Sequence, residues 1–289
     1  RSDRKIRESI PDWLDELAYA QLGDRWEKEL IALNETAPVV LRANTLQTNQ
    51  AELVATLKEE NIDCTPDAEL PDAIVLDRRA NVFSTDAFKS GKFEVQDAGS
   101  QTIAPFLNPA PGLRIVDACA GAGGKTLHLA ALMKNAGRLI ALDTEQWKLD
   151  ELKKRARRAG ATNIETRCIE NMKVIKRLEN TADRLLLDVP CSGLGVLRRN
   201  PDAKWKLTQE FIDRVISVQK DILEHYSKIL KPGGLMVYAT CSILPAENQN
   251  QVNEFLKTHS EFSLIQEQQL WPSDGTDGFY MARMLKRKE

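Results

Sequence analysis

The chain is short of the residue types that mark several common kinds of protein. It has five cysteines, Cys64, Cys119, Cys168, Cys191 and Cys241, an odd number with no C-x-x-C pair among them. That spacing argues against a disulfide framework and a structural zinc site, and it leaves free thiols. The three histidines, His128, His225 and His259, lie far apart in helical-looking segments, so no metal site is expected. No stretch reaches the roughly 18 apolar residues that a membrane helix needs, and no charged start with an apolar core and cleavage site marks secretion. A cytoplasmic protein without membrane contact is the expectation. Net charge is nearly absent too, since 40 Lys and Arg oppose 42 Asp and Glu, so overall basicity gives no argument for a nucleic-acid partner. The rest is globular composition, 42% hydrophobic in 289 residues, enough for one large domain or for a catalytic domain and a smaller one.

Periodicity divides the chain. Residues 10–33 carry apolar positions at helical spacing interrupted by Gly23, which predicts two short helices. Next come a strand over 37–46, a helix over 49–62, a strand over 73–77 and further strands over 88–97 with a tight turn at Ser90-Gly91. These form a small α/β module, and a first domain is placed at 1–94. From residue 113 strands and helices alternate: LRIVDAC, KTLHLAALMK, RLIALD, EQWKLDELKKRARRAG, IETRCI, ADRLLLDVP, a long helix from Gln209, then GGLMVYATCS. Short Val/Ile/Leu-rich strands without polar alternation predict a parallel sheet buried on both faces, a doubly wound α/β domain at 95–289. In such sheets ligands bind beyond the carboxyl ends of the strands.

What stands at those ends is informative. The first strand runs into Asp117-Ala-Cys-Ala-Gly-Ala-Gly-Gly-Lys-Thr126, a glycine-rich turn that opens a helix. Its glycines admit a ligand close to the backbone, and the helix start offers free N–H groups. Asp143 ends the second strand, where a carboxylate can hold the two hydroxyls of an adenosine ribose. A phosphate-binding loop is the remote alternative, because Cys119 to Thr126 misses G-x-x-x-x-G-K-[ST] only at its first glycine; an NTPase would leave Asp143 and the later cysteines unexplained. The strand ending at Asp188 leads into Val-Pro-Cys191-Ser, and the next into Thr240-Cys241-Ser. Two cysteines thus follow adjacent parallel strands and are expected to meet over the sheet edge, where helix N-termini favour a thiolate.

Together these residues resemble the RNA (cytosine-5) methyltransferase family, in particular the bacterial Sun/Fmu-type enzymes acting on 16S ribosomal RNA. The likeness covers nearly the whole chain: Arg42-Ala-Asn44, DACAGAGGKT, the ALD closing at Asp143, LLLDVPCSGLGVLRRNPDAKW, KPGG, YATCSILPAEN and DGFYMARM. It implies a class I methyltransferase fold, a doubly wound and mostly parallel Rossmann-like sheet, preceded by a small RNA-recognition-like module. The family also has a helical domain further upstream, which this sequence does not contain; it starts at Arg1 rather than Met, so a trimmed chain is expected.

The resemblance implies S-adenosylmethionine as cofactor, with Cys119, Ala120, Gly121, Ala122, Gly123, Gly124 and Lys125 at its methionine end and Asp143 on its ribose. Glu170 falls where the family has an Asp near the adenine, and Gly121-Ala122 where it has Ala-Pro. Asp188 takes the position that touches both cofactor and base. Cys241 matches the nucleophile of the T-C-S motif, and Cys191 the cysteine that helps release the product. The chemistry needs such groups, because carbon 5 of cytosine is a poor nucleophile until a thiolate adds to carbon 6. Asp188, if burial keeps it protonated, would support the adduct at N3 with Lys125 orienting it, and Cys191 or water would take the carbon-5 proton.

Four segments are basic, 1–7, 153–158, 198–206 and 283–289; they carry +14 against a total of −2, so near-neutrality averages opposed surfaces. The run at 153–158 reads as a solvated helix face. Arg198, Arg199, Lys204 and Trp205 follow the Cys191 motif and are expected to contact phosphates and stack on bases, while Arg42 and Asn44 face RNA by resemblance only. The target base must leave its stack, so single-stranded or locally opened RNA is the expected partner, with the chain a monomer. A transfer RNA substrate and a non-catalytic RNA- or nucleotide-binding relative are the alternatives.

Overall fold

A computed structural model describes residues 3–288; Arg1, Ser2 and Glu289, which belong to the first and last basic segments, lie outside the described residues. The chain opens with helices α1 (Arg4–Arg7), α2 (Asp12–Leu22) and α3 (Arg25–Leu33), the last two divided at Gly23 as the periodicity predicts. A first sheet follows, with β1 (Val40–Ala43), helix α4 (Gln50–Glu59), β2 (Cys64–Pro66), β3 (Ala73–Leu76), helix α5 (Asp86–Lys89) and β4 (Phe93–Val95). Its strands lie antiparallel in the order β2-β3-β1-β4, over a core of Leu41, Leu53, Leu57, Ile74 and Phe93. The boundary expected after residue 94 falls within β4, which ends at Val95.

The stretch 88–97 is not a pair of strands. Thr85 caps α5, its hydroxyl accepting the Phe88 N–H at 3.1 Å, and the Glu60 carboxylate accepts the N–H groups of Asp86 and Ala87 at 2.7 and 3.0 Å. With its free N–H groups satisfied from outside, the segment winds into a turn of helix rather than extending. Ser90-Gly91 ends that helix instead of joining two strands. Gly91 has φ +80°, and a Cβ there would lie 1.9 Å from the carbonyl oxygen of Arg158, so only glycine lets the small module approach so closely.

The larger sheet is built from α6 (Ala98–Phe106), β5 (Arg114–Asp117), α7 (Gly124–Leu132), β6 (Arg138–Asp143), α8 (Gln146–Ala159), β7 (Ile164–Cys168), α9 (Lys173–Lys176), β8 (Ala182–Asp188), α10 (Ala203–Lys206), α11 (Gln209–Tyr226), β9 (Leu230–Thr240), α12 (Gln249–Thr258), β10 (Phe262–Leu270) and β11 (Phe279–Lys286). Its order is β10-β11-β9-β8-β5-β6-β7; β7 to β9 run parallel and β11 and β10 antiparallel, the mostly parallel α/β sheet the sequence predicts. Alternate side chains of one strand serve opposite faces. Leu185 and Leu187 pack with Ile222, Leu223 and Phe255 from α11 and α12, whereas Leu186 packs with Ile103 of α6, Leu129 of α7 and Met133 just after it.

The N-terminal helices close the assembly. Leu14, Trp26 and Leu30 pack on Leu194, Leu197, Ile243 and Leu244, apolar residues of the two loops that carry Cys191 and Cys241. Among the described residues, no helix is long and apolar enough to cross a membrane.

Candidate active site

Parallel pairing fixes the site before any side chain is considered. In register, Asp188 of β8 lies opposite Ala239 of β9, so the loops after both strands leave the sheet at the same level. Cys191 comes three residues after Asp188 and Cys241 two residues after Ala239, and their Sγ atoms lie 3.2 Å apart. The hydrogen bond to Cys241, then burial, then nearby negative groups including Glu247, push the Cys191 thiol well above its ordinary range. Either sulfur can be the donor of this contact.

Lys125, in the first turn of α7, reaches the same edge. Its Nζ lies 2.6 Å from the Asp188 carboxylate and 5.8 Å from the centre of the Phe279 ring. Burial opposes a charge on Lys125, but Asp188, Cys241 and Asp117 together outweigh it and hold the ammonium above its ordinary value. Asp188 thus has the Lys125 ammonium as a direct partner. Beneath them Asp117 is fully buried, accepting the Thr126 hydroxyl at 2.7 Å, and burial pushes it up to about 7.

Beside this edge opens a cavity of about 590 Å³ lined by Cys119, Asp143, Ile169, Met172, Pro190 and Tyr226, among others. Asp143 does two things at its rim. One carboxylate oxygen accepts the Gly121 N–H and the other the Glu145 N–H, each at 2.9 Å, so the acid that ends β6 also holds the glycine-rich loop. Each oxygen retains a lone pair for a further donor. Gly123, at φ +91°, starts α7 against Leu152, where a Cβ would lie 2.5 Å from the leucine Cγ; a Cβ on Gly121 or Gly124 would meet nothing within 4 Å. Ala120 is buried beneath the loop, Cys119 lines the cavity, and Ala122 and Gly124 are held through their carbonyls by Arg155 at 2.8 Å and Arg42 at 2.9 Å. Glu170 is exposed and does not line the cavity, although Ile169 and Met172 on either side of it do. The wall from α11, including Asp221, Ile222, His225 and Tyr226, is not expected from the sequence, where that helix shows only its apolar stripe.

The expected RNA contacts need correction. Arg42 is 1% exposed, bonded to Gln96 and to the carbonyl of Gly124, so it ties the small module to the cavity loop. Asn44, 4% exposed, donates to the carbonyls of Gly91 and Ala159, both at 2.8 Å. Arg198 and Arg199 both bind the fully buried Asp277, and Arg199 also binds Asp97 at 2.6 Å. Lys204 is buried against Asn34 and the carbonyl of Glu8. A buried cation keeps its charge only with such partners, and Arg42, Arg198 and Lys204 are committed inside the protein, whereas Arg199 is paired but still exposed. Trp205 differs, being 59% exposed. The run at 153–158 is also split: Lys153 and Lys154 are exposed, whereas Arg155 and Arg158 hold the buried Glu94 of β4 at 2.8 and 2.6 Å.

Comparison with known proteins joins these observations. The family described as 16S rRNA methyltransferase RsmB/F matches residues 104–285, the whole cavity and both thiols included. The chain belongs to that family. A second description, an RsmF/B-like ferredoxin-like domain, matches residues 10–83. The chain is 38% identical over 257 residues to the probable ribosomal RNA small subunit methyltransferase B of Synechocystis, covering 88% of this chain and 58% of that protein. It spans 58 to 66% of the length of such curated relatives. Among solved structures, the crystal structure of PH0851 superposes with a TM-score of 0.93 at 31% identity, covering 98% of this chain and 67% of that one. NSun6 from Pyrococcus horikoshii, solved with SFG, superposes with a TM-score of 0.89 at 21% identity, over 98% of this chain and all of that one, a likeness of fold.

Proposed function

We propose that this chain transfers a methyl group from S-adenosylmethionine to carbon 5 of a cytosine in RNA, ribosomal RNA being the substrate, through a covalent adduct of Cys241 with carbon 6. The observation that carries this reading is the 3.2 Å contact between two thiols at adjacent strand ends, on the edge where the cavity opens. Membership of an RNA methyltransferase family supports the substrate class.

The cavity suits the cofactor in size and donor set. Its volume lies in the range of small-molecule sites. Asp143 would take the ribose hydroxyls, the Cys119–Gly124 loop the methionine end, and Ile169 and Met172 the adenine. When bound, S-adenosylmethionine supplies a sulfonium methyl group as the electrophile for an activated carbon 5.

The chain's own residues perform the activation. Cys241, as thiolate, adds to carbon 6 and moves an electron pair onto carbon 5, dividing one hard step into two. Asp188 hydrogen-bonds the base at N3. The proton that N3 takes up is one the Lys125–Asp188 pair holds, passing from Nζ across 2.6 Å to the carboxylate and on to the base, and returning on release. When water removes the carbon-5 proton, the bond between carbon 6 and sulfur breaks and Cys241 leaves as thiolate. The Cys191 S–H then donates to that sulfur across the 3.2 Å contact and so eases the departure.

Cys191→Ala, incubated with cytosine-containing RNA and cofactor, accumulates a protein–RNA adduct that survives denaturing electrophoresis; adding Cys241→Ala abolishes it. An adduct that persists without Cys241 and vanishes without Cys191 would reverse the assignment.

A further inference from the structure

The two thiols do not hold themselves 3.2 Å apart. The loop residues that follow them, Ser192 and Ser242, converge on one acid, Glu247, which is fully buried just before α12. One carboxylate oxygen accepts the Ser192 N–H at 2.7 Å and the Gln219 side-chain amide at 3.1 Å. The other accepts the Ser192 hydroxyl at 2.5 Å and the Ser242 hydroxyl. All four partners are neutral. Burying a carboxylate among neutral donors is costly unless every lone pair is used, and here the four donors use them. Gln219 extends the brace, donating also to the carbonyl of Pro190 at 2.9 Å, one residue before Cys191. On the β9 side, the Asn248 amide donates to the Ser242 carbonyl at 2.9 Å.

We infer that Glu247 is a positioning residue for the thiol pair: by tying the residue after Cys191 to the residue after Cys241, it sets the spacing of the sulfurs and separates their roles. The separation follows from charge. The Cys241 sulfur, then burial, then the Glu247 carboxylate all act against a negative charge on Cys191. Cys191 is thereby kept as the S–H donor and Cys241 as the acceptor. The inference rests on the reading above for the identity of the reaction, whereas the brace itself is independent of it.

Glu247→Gln tests this, because the amide keeps the size and loses the charge. Both thiols of the intact chain are alkylated with iodoacetamide across a pH series and quantified separately by mass spectrometry, and methyl transfer and melting are measured on the same material. The Cys191 alkylation midpoint should move down by about one pH unit, which is about tenfold faster modification at a fixed pH below it. Loss of alignment should lower kcat about 100-fold with the KM for S-adenosylmethionine unchanged. A folded variant with wild-type thiol profiles and wild-type kcat overturns the inference. If Glu247→Gln does not fold, Ser242→Ala and Ser192→Ala each remove one tie and retain the acid; both should lower kcat without a matching loss of melting temperature, and wild-type kcat in both overturns it. If the wild-type chain methylates no cytosine, the reaction assignment fails and the thiol profiles alone decide the role of Glu247.

Discussion

Asn44→Ala distinguishes a residue that faces RNA from one that holds the protein together. Asn44 follows β1 at the seam between the two sheets. Its amide group donates to the carbonyl of Gly91 in the small module and to that of Ala159 at the end of α8, while its oxygen accepts the Leu46 N–H at 3.2 Å. Alanine leaves two buried carbonyls and one N–H short of a partner. At about 1 kcal/mol net for each hydrogen bond the variant loses about 3 kcal/mol. For a chain of this size that lowers the melting temperature by about 6 °C. Differential scanning calorimetry measures the loss, and RNA affinity is compared at one salt concentration well below the transition. The reasoning expects a lower melting temperature with RNA affinity within about twofold of wild type, since a twofold change is only about 0.4 kcal/mol. An unchanged melting temperature with a tenfold loss of RNA affinity would refute it and return Asn44 to the RNA surface.

Asp117→Asn probes the acid beneath Lys125 and Asp188. Its carboxyl sits near 7 in the folded protein and at about 4 unfolded, so between those values the folded state holds the extra proton. Its contribution to stability is full below about pH 4 and is lost as pH rises towards 7, on the order of a few kcal/mol over the window. Urea midpoints at pH 4.5 and 7.5 should therefore show wild type losing stability relative to the variant as pH rises, and a gap that is equal at both pH values contradicts the shift. Trp205→Ala should weaken single-stranded RNA binding by the about 1–3 kcal/mol of one stacked base, with melting changed by less than about one degree. Lower melting with RNA affinity retained would make Trp205 a packing residue.

The larger sheet was legible because its strands are written in buried aliphatic runs, and because parallel strands deliver their trailing loops to one edge. That rule alone brought Cys191 to Cys241 and placed Asp143 beside the glycine loop. The small module was less legible. The three residues of β2 are too few to show alternation, and the helix at 86–89 depends on a cap from Glu60, a contact that local pattern does not carry. The basic residues failed for a related reason. Arg198 and Arg199 read as a phosphate patch until Asp277, 79 and 78 residues away, turns out to bind both, with Asp97 as a second acid on Arg199. Asn44 spends its amide on two backbone carbonyls and Arg42 binds Gln96 and the Gly124 carbonyl, and a carbonyl leaves no mark in the sequence.

Asp277 also has a consequence in time. It holds both arginines of the Cys191 loop, and the next residue, Gly278, donates its N–H to the carbonyl of Gly195 at 2.7 Å, while the Gly195 N–H binds the carbonyl of Cys241 at 2.9 Å. The two loops that carry the thiols are made before the segment that fastens them. A nascent chain that has reached residue 270 carries both thiols and lacks the clasp, so the arrangement of the two loops is complete only once β11 is made and pairs with β9.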